Sequence, residues 1–124
     1  MSETKLITLS TELSINIINI AKKIKGNHIL INQLLRSGTS IGANIREANY
    51  SHSKADFIAK LQIALKECYE TEYWLELFEK TNIIENEKTQ LLLNKSGTLR
   101  RILIASLNTA KNNINSIQKK EEQK

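Results

Sequence analysis

The residues of this sequence that could perform catalysis or bind a metal are two histidines, one cysteine and a set of glutamates. A di-iron helix bundle needs a Glu-x-x-His pair on two helices. Lys25 precedes His28 at that offset, and Asn49 precedes His52, so neither histidine fits. The sequence also has no metalloprotease helix, phosphate loop or glycine-rich dinucleotide turn. It therefore predicts a protein that is not an enzyme and holds no metal or cofactor.

Cys68 is the only cysteine, and no histidine lies near it in the sequence. It belongs to an apolar series whose members alternate in spacing between four and three residues, which is typical of the buried seam of a bundle helix. That series is Phe57, Leu61, Ala64, Cys68, Thr71, Leu75 and Phe78. A small core residue is therefore a better interpretation of Cys68 than a nucleophile.

Basic side chains offer a second kind of chemistry, the binding of polyanions. The chain carries a net charge of +5 and has a pI of about 9.4. A surface of this charge favours nucleic acid, but the same charge also serves ordinary solubility, and both roles remain open. The candidate contacts to RNA or DNA lie in the first and last predicted helices. They are Lys22, Lys23, Lys25, Lys95, Arg100, Arg101 and Lys111.

Acidic residues concentrate in the third predicted helix. Residues 54–81 carry a net charge of −2, whereas the rest of the chain carries +7. Between Glu67 and Glu79 there are five glutamates and no cation. Two interpretations stand side by side: an acidic face that meets a basic face of another subunit, or a solvated helix face.

Polar residues in the second helix have two possible roles. Arg36, Asn44 and Glu47 could form a recognition surface. The favoured interpretation is structural, with Arg36 paired to Glu67 or Glu70 on the third helix and Asn44 bonded to neighbouring backbone. We treat these residues as structural or interface positions.

Tyr69, Tyr73 and Trp74 bring three aromatic rings to the third helix. Such rings can stack on unpaired bases. On a bundle helix they more often belong to the core or to a subunit interface, which is the interpretation we favour.

The elements that must position these residues are long helices. The chain has 124 residues, no proline and only four glycines, so turns are few. Apolar residues recur at spacings of three and four in four segments. The predicted helices cover about 5–25, 28–49, 54–80 and 85–117. Short connections make sequential helices antiparallel, which predicts an all-α, up-down four-helix bundle. One domain covers 1–118, and residues 119–124 form a charged tail that is expected to fray.

The second helix contains a stretch of small residues with low helix propensity. Gly38 and Gly42 each cost about 1 kcal/mol relative to alanine in a helix interior. The apolar periodicity nevertheless passes straight through them, so a continuous helix that a neighbour approaches closely is predicted. A break between the two glycines is the alternative.

The N-terminal residues lack the basic start and apolar run of a signal peptide. No stretch approaches the roughly 20 apolar residues of a membrane span. A cytoplasmic protein without a membrane partner is expected.

Three consecutive blocks carry a resemblance to a known family. Residues 33–48 read QLLRSGTSIGANIREA, residues 53–61 read SKADFIAKL, and residues 64–75 read ALKECYETEYWL. Together they resemble the 23S rRNA intervening-sequence proteins, also called four helix bundle proteins. The family pattern has Arg-Ser, Ser-Ile, Asn-Ile and Glu in this register, followed by a Ser…Asp-Phe helix start. One departure is Ala48-Asn49, where the family usually has a glycine after the glutamate, and it concerns the end of the second helix.

The resemblance implies a bacterial four-helix protomer that assembles into a homopentamer, without a settled biochemical activity. A related basic pentamer, the accessory variability protein of diversity-generating retroelements, binds nucleic acid and a reverse transcriptase. By that analogy the first hypothesis is a pentameric scaffold that binds RNA or DNA. The second is a protein-interaction module without a nucleic-acid ligand, whose charge serves assembly.

Overall fold

The computed structural model describes residues 2–122, and within them every regular element is a helix. The four helices are α1 (Ser2–Lys23), α2 (His28–Asn49), α3 (Lys54–Lys80) and α4 (Asn86–Glu122). Each helix packs against two others, in the pairs α1–α2, α2–α3, α3–α4 and α1–α4. The all-α four-helix fold predicted from the periodicity is therefore confirmed.

The core is one cluster to which all four helices contribute. The predicted seam of α3 is buried from Leu61 to Phe78, and Cys68 lies fully buried within it. Phe57, at the head of the same series, is only half-buried because it lies at the open end of the bundle. Full burial of one leucine or phenylalanine stabilises the fold by roughly 1.5–3 kcal/mol, so this seam is a main source of stability.

The α1–α2 pair packs closely at the small residues of α2. A Cβ atom built on Gly38 would lie 2.5 Å from Cδ1 of Ile17, and one built on Gly42 would lie 3.3 Å from Oγ of Ser10. Ser14 Oγ also donates a hydrogen bond to the carbonyl oxygen of Gly38, at 3.3 Å. Helix α2 runs unbroken through both glycines. The prediction of a continuous helix is thus confirmed, and the alternative of a break is wrong.

Local backbone conformation before α2 and a side-chain cap before α3 mark where these helices begin. Asn27, just before α2, adopts the left-handed conformation with φ of 55°, as does Gly26 with φ of 82°. Ser53 caps α3 by accepting a hydrogen bond from the backbone N–H of Asp56, at 3.1 Å. The departure from the family pattern does not extend α2, which ends at Asn49.

Helices α1 and α4 differ from their predicted bounds. The first helix ends at Lys23 rather than Lys25, because Gly26 and Asn27 already turn the chain. The last helix has 37 residues, which corresponds to about 55 Å, against about 33 Å for the 22 residues of α1. The segment predicted to fray from 119 is helical through Glu122, and 123–124 lie outside the described residues.

Candidate nucleic-acid interface

The predicted cations of α1 lie at one end of the bundle, beside the turn between α3 and α4. Lys22, Lys23 and Lys25 are all exposed. Lys23 and Lys25 line a shallow cleft together with Lys88 of α4, and Glu85 is the acidic residue of that lining. We call Lys22, Lys23, Lys25 and Lys88 the α1-end cluster.

Two of the predicted contacts are engaged within the bundle. Lys95 Nζ donates a hydrogen bond to Oδ1 of Asn16 at 2.6 Å, which ties α4 to α1. Arg100 Nε donates to both carboxylate oxygens of Glu72 on α3, at 3.1 and 3.3 Å. The guanidinium of Arg100 also lies over the ring of Tyr69, 5.8 Å from its centroid. Arg100 is therefore held by α3 rather than presented to solvent.

Arg101 and Lys111 are exposed and lie on α4, 13 and 23 residues beyond Lys88 of the α1-end cluster. Arg101 donates a hydrogen bond to Oγ1 of Thr98, at 3.2 Å on its own helix. Ten residues of helix separate Arg101 from Lys111, so the two point about 80° apart. The seven predicted cations are thus spread along the bundle, with Lys22, Lys23 and Lys25 at one end, Lys95, Arg100 and Arg101 further along α4, and Lys111 beyond them.

Glu72 of α3 forms an ion pair with Arg100 of α4. Burial raises the pKa of Glu72, while the charge and hydrogen bonds of Arg100 lower it. The side chains of Glu72 and Arg100 are 15% and 29% exposed, so solvent screens their attraction only in part. This ion pair joins α3 to α4.

Arg36 makes the predicted ion pair with α3, and with both candidate partners at once. Its guanidinium donates to Oε2 of Glu67 at 3.3 Å and to Oε2 of Glu70. The hydrogen bond with Glu70 raises the pKa of Arg36. Trp74 Nε1 donates to the same Glu70 oxygen, at 3.2 Å. These contacts agree with a structural role for Arg36.

The other two polar residues of α2 also have partners within the chain. Asn44 Nδ2 donates to the backbone oxygen of Ser40, at 2.9 Å and within its own helix. Glu47 lies 3.7 Å from Nζ of Lys60 on α3. Both contacts fit the structural interpretation of these positions.

The three aromatic residues of α3 separate into two environments. Trp74 is half-buried, packs edge-on against Tyr73 and stacks on Phe78 at 6.2 Å between ring centroids. Tyr69 and Tyr73 are 52% and 56% exposed. They lie in the middle of an outward-facing series with alternating spacings of four and three, which we call the tyrosine stripe. Its members are Gln62, Lys66, Tyr69, Tyr73, Glu76 and Lys80.

Cys68 lacks the surroundings of a reactive thiol. It is fully buried, and its Sγ lies 3.8 Å from Oγ of Ser96 on α4. Burial raises the pKa of Cys68 to about 12, which keeps the thiol protonated at neutral pH. Within residues 2–122 no three His, Cys, Asp or Glu side chains come together as a metal site.

A groove that the sequence did not predict lies at the end of the bundle opposite the α1-end cluster. It has a volume of about 990 Å³ and runs between α1, the α2–α3 connection and α4. Lys5, Lys54 and Arg101 line it, one from each of three helices. Only Arg101 was a predicted contact. No spacing within one segment could reveal the other two, because the packing of distant segments brings them together.

The family to which the chain belongs follows from comparison with known proteins. The model of the 23S rRNA-intervening sequence protein family matches residues 2–105, which include α1, α2, α3 and more than half of α4. The chain belongs to the 23S rRNA-intervening sequence protein family. The resemblance noted in the sequence is thereby confirmed.

A solved structure supports the same assignment. This member of the intervening-sequence family is 43% identical to a Bacteroides thetaiotaomicron protein of unknown function from the S23 ribosomal protein family, with a TM-score of 0.83. The match covers 87% of this chain and 99% of the other. None of the curated proteins matches the chain. Across residues 2–122, the helices of this family member lack an apolar stretch of the length that a membrane crossing needs.

The Arg100–Glu72 pair gives a first prediction for this family member. Replacing Arg100 by alanine leaves a half-buried carboxylate without its cation. We expect the free energy of unfolding at pH 7 to fall by about 1–2 kcal/mol, a loss between those typical of surface ion pairs and of buried ion pairs. Glu72→Gln, which keeps a hydrogen-bond acceptor without the charge, should cost less. Urea denaturation followed by circular dichroism measures both.

The pH dependence of that loss has a definite sign. Without Arg100, the pKa of Glu72 in the native state rises further above its value in the unfolded state. The native state then binds more protons than the unfolded state, so stability falls as the pH rises between the unfolded and native pKa values. The deficit of Arg100→Ala should therefore shrink at pH 4. An equal deficit at pH 4 and pH 7 would show that lost packing, not the unpaired carboxylate, causes it.

Proposed function

We propose that this chain is a non-catalytic, oligomeric scaffold of the bacterial cytoplasm that binds RNA or DNA through its exposed cations. One observation carries the proposal. Within residues 2–122, six of the seven predicted contacts form no salt bridge, whereas Glu67, Glu70 and Glu72 of the acidic helix are held by arginines of the bundle. Five of the seven cations are therefore presented to solvent, while much of the negative charge of α3 is neutralised internally. The five are Lys22, Lys23, Lys25, Arg101 and Lys111.

The position of the free cations supports a polyanion rather than a small ligand. Lys88 of the α1-end cluster and Arg101 lie 13 residues apart along α4, or about 20 Å. Successive phosphates of one extended nucleic-acid strand can contact both places, whereas a small anion can contact only one of them. Each neutralised phosphate releases counterions, so the affinity should be steeply salt-dependent.

Assembly into a homopentamer is the second part of the proposal. Exposed tyrosines are enriched at subunit interfaces, and the tyrosine stripe continues along α3 with the spacing of a helix-packing seam. The apolar series of α4 also runs past the body of the bundle, where Ile117 is 55% exposed. A closed ring would cover such surfaces and repeat every basic cluster five times.

A protein-interaction module is the second candidate function. The tyrosine stripe favours it, because the same surface fits another protein as well as it fits another copy. By analogy with the related accessory variability protein, a reverse transcriptase is the kind of partner to test. This candidate predicts no RNA or DNA ligand.

Polarisation of a labelled structured RNA, titrated with the full chain at low and moderate salt, separates the two functions. The scaffold predicts micromolar or tighter binding at low salt, which weakens steeply as salt is raised. Absence of binding at low salt, where electrostatic attraction is strongest, would overturn the nucleic-acid function in favour of the protein module.

The oligomer has its own test in the tyrosine stripe. Replacing Tyr69 and Tyr73 by serine should shift the full chain toward smaller species in size-exclusion chromatography with light scattering, with at least tenfold weaker association. Because both rings are more than half exposed, the helical signal and thermal midpoint should change little. Tyr50→Ser, at a ring 84% exposed outside the stripe, is the matched control. An unchanged mass in the stripe variant would exclude this surface as the interface.

A further inference from the structure

The groove at the α2–α3 end of the bundle has the chemistry of a nucleotide site. We infer that it binds one unpaired nucleotide of a single-stranded RNA, with the phosphate at its basic rim and the base against its apolar wall. This inference rests on the proposed function and names the place where the strand is held. The other cations supply attraction without distinguishing paired from unpaired bases.

The charge of the groove is of one sign. Among its 16 lining residues are Lys5, Lys54 and Arg101, together with His52, and none is Asp or Glu. These four residues are exposed. Within residues 2–122, no salt bridge involves Lys5, Lys54 or Arg101. Three cations from three different helices line the groove, which suits an anion such as a phosphodiester.

The wall of the groove is apolar and carries an aromatic ring. Phe57 is half-buried, so one part of its ring packs on the core while the rest faces the groove. Lys54 Nζ lies 5.8 Å from the centroid of that ring, which places a cation beside the aromatic surface. Ile102 and Ala105 of α4 add apolar surface to the lining. A base stacked on Phe57 would have its phosphate within reach of Lys54.

The size and the polar rim of the groove favour a nucleotide of RNA. A volume of about 990 Å³ lies at the upper end of the range for small-molecule sites, which is roughly 300–1,000 Å³. Asn49, Ser51, Ser106 and Thr109 bring amides and hydroxyls to the lining. These groups can bond base edges and the ribose 2′-hydroxyl, which DNA lacks. A base inside a duplex cannot enter, because it is already stacked between its neighbours.

The experiment compares a labelled 12-nucleotide oligo(U), the oligo(dU) of equal length and an RNA duplex, each titrated with the full chain at low salt. We expect oligo(U) to bind more tightly than oligo(dU). Phe57→Leu should weaken oligo(U) binding about tenfold, within the range for losing one stacked base, and leave duplex binding unchanged. Arg101→Gln should weaken oligo(U) binding severalfold. Tyr50→Leu and Lys120→Gln, exposed positions outside the groove, are the matched controls.

A crosslinking arm locates the strand independently of affinity. Oligonucleotides with 4-thiouridine in place of uridine should crosslink to peptides that contain Phe57 or Arg101. Crosslinks confined to other surfaces, with full affinity in both groove variants, would overturn the groove while leaving the nucleic-acid function intact.

Oligo(dU) binding as tight as oligo(U) would overturn the assignment to RNA. A polyglutamate peptide that competes as well as unlabelled oligo(U) would replace the nucleotide by an acidic peptide. No binding of any oligonucleotide would overturn both proposals.

Discussion

Replacing Gly38 by leucine is expected to lower the free energy of unfolding by about 3 kcal/mol, at the upper end of overpacking costs. The first added carbon alone would lie 2.5 Å from Cδ1 of Ile17, whose side chain is fully buried. The remaining atoms of leucine would have to enter the same α1–α2 contact. The gain in helix propensity, about 1 kcal/mol, is too small to offset the forced separation of the helices.

Gly97 of α4 provides the matched control for Gly38. It also lies inside a helix, but a Cβ atom built there would meet only the guanidinium ends of Arg101 and Arg100, at 3.4 and 3.6 Å. Those ends can move, so Gly97→Ala should stabilise the chain by up to about 1 kcal/mol. Urea denaturation measures both variants. Equal stability changes at Gly38 and Gly97 would contradict the close packing of α1 on α2.

The second large effect concerns nucleic-acid affinity. Replacing Lys22 and Lys23 by glutamate should weaken binding of structured RNA at 0.1 M salt about 50-fold, as expected for the loss of two phosphate contacts. Repetition of the site in an oligomer would increase the loss. Fluorescence polarisation at several salt concentrations measures it, and the slope of log affinity against log salt should decrease by about 2.

Lys119 and Lys120 provide the matched control pair for this variant. They are also adjacent, exposed and near the end of a helix. Their replacement by glutamate changes the net charge by the same amount, so it reproduces any effect of overall charge. Equal losses in the two double variants would show that net charge, and not the α1-end cluster, governs binding.

The bounds of α2 and α3 could be predicted from sequence because local signals mark them. Gly26 and Asn27 turn the chain just before α2 with positive φ, and Ser53 caps α3 by accepting from the backbone N–H of Asp56. The ends of α1 and α4 were predicted less well. The charged segment after Ile117 offers no apolar periodicity, although the backbone remains helical there through Glu122.

The candidate site was predictable only in part, because its chemistry depends on contacts between distant residues. Arg100 and Arg101 are adjacent in sequence and appear equivalent, yet Glu72 on α3 holds the first and the second is exposed. The pairing of Arg36 with Glu67 and Glu70 could be predicted, since the apolar seam of the third helix is visible in the sequence. The place of Lys5 and Lys54 in the groove could not be predicted, because nothing in their own segments connects them with Arg101.

Native mass spectrometry of the full chain mixed with a structured RNA tests the central claim most directly, because it reports assembly and ligand in one spectrum. We predict a species that contains five chains and at least one RNA, and the Lys22→Glu, Lys23→Glu variant should retain the five chains but lose the RNA. Monomeric chains without RNA would contradict both parts of the proposed function. Five chains without RNA would contradict the nucleic-acid part and leave the protein-interaction module.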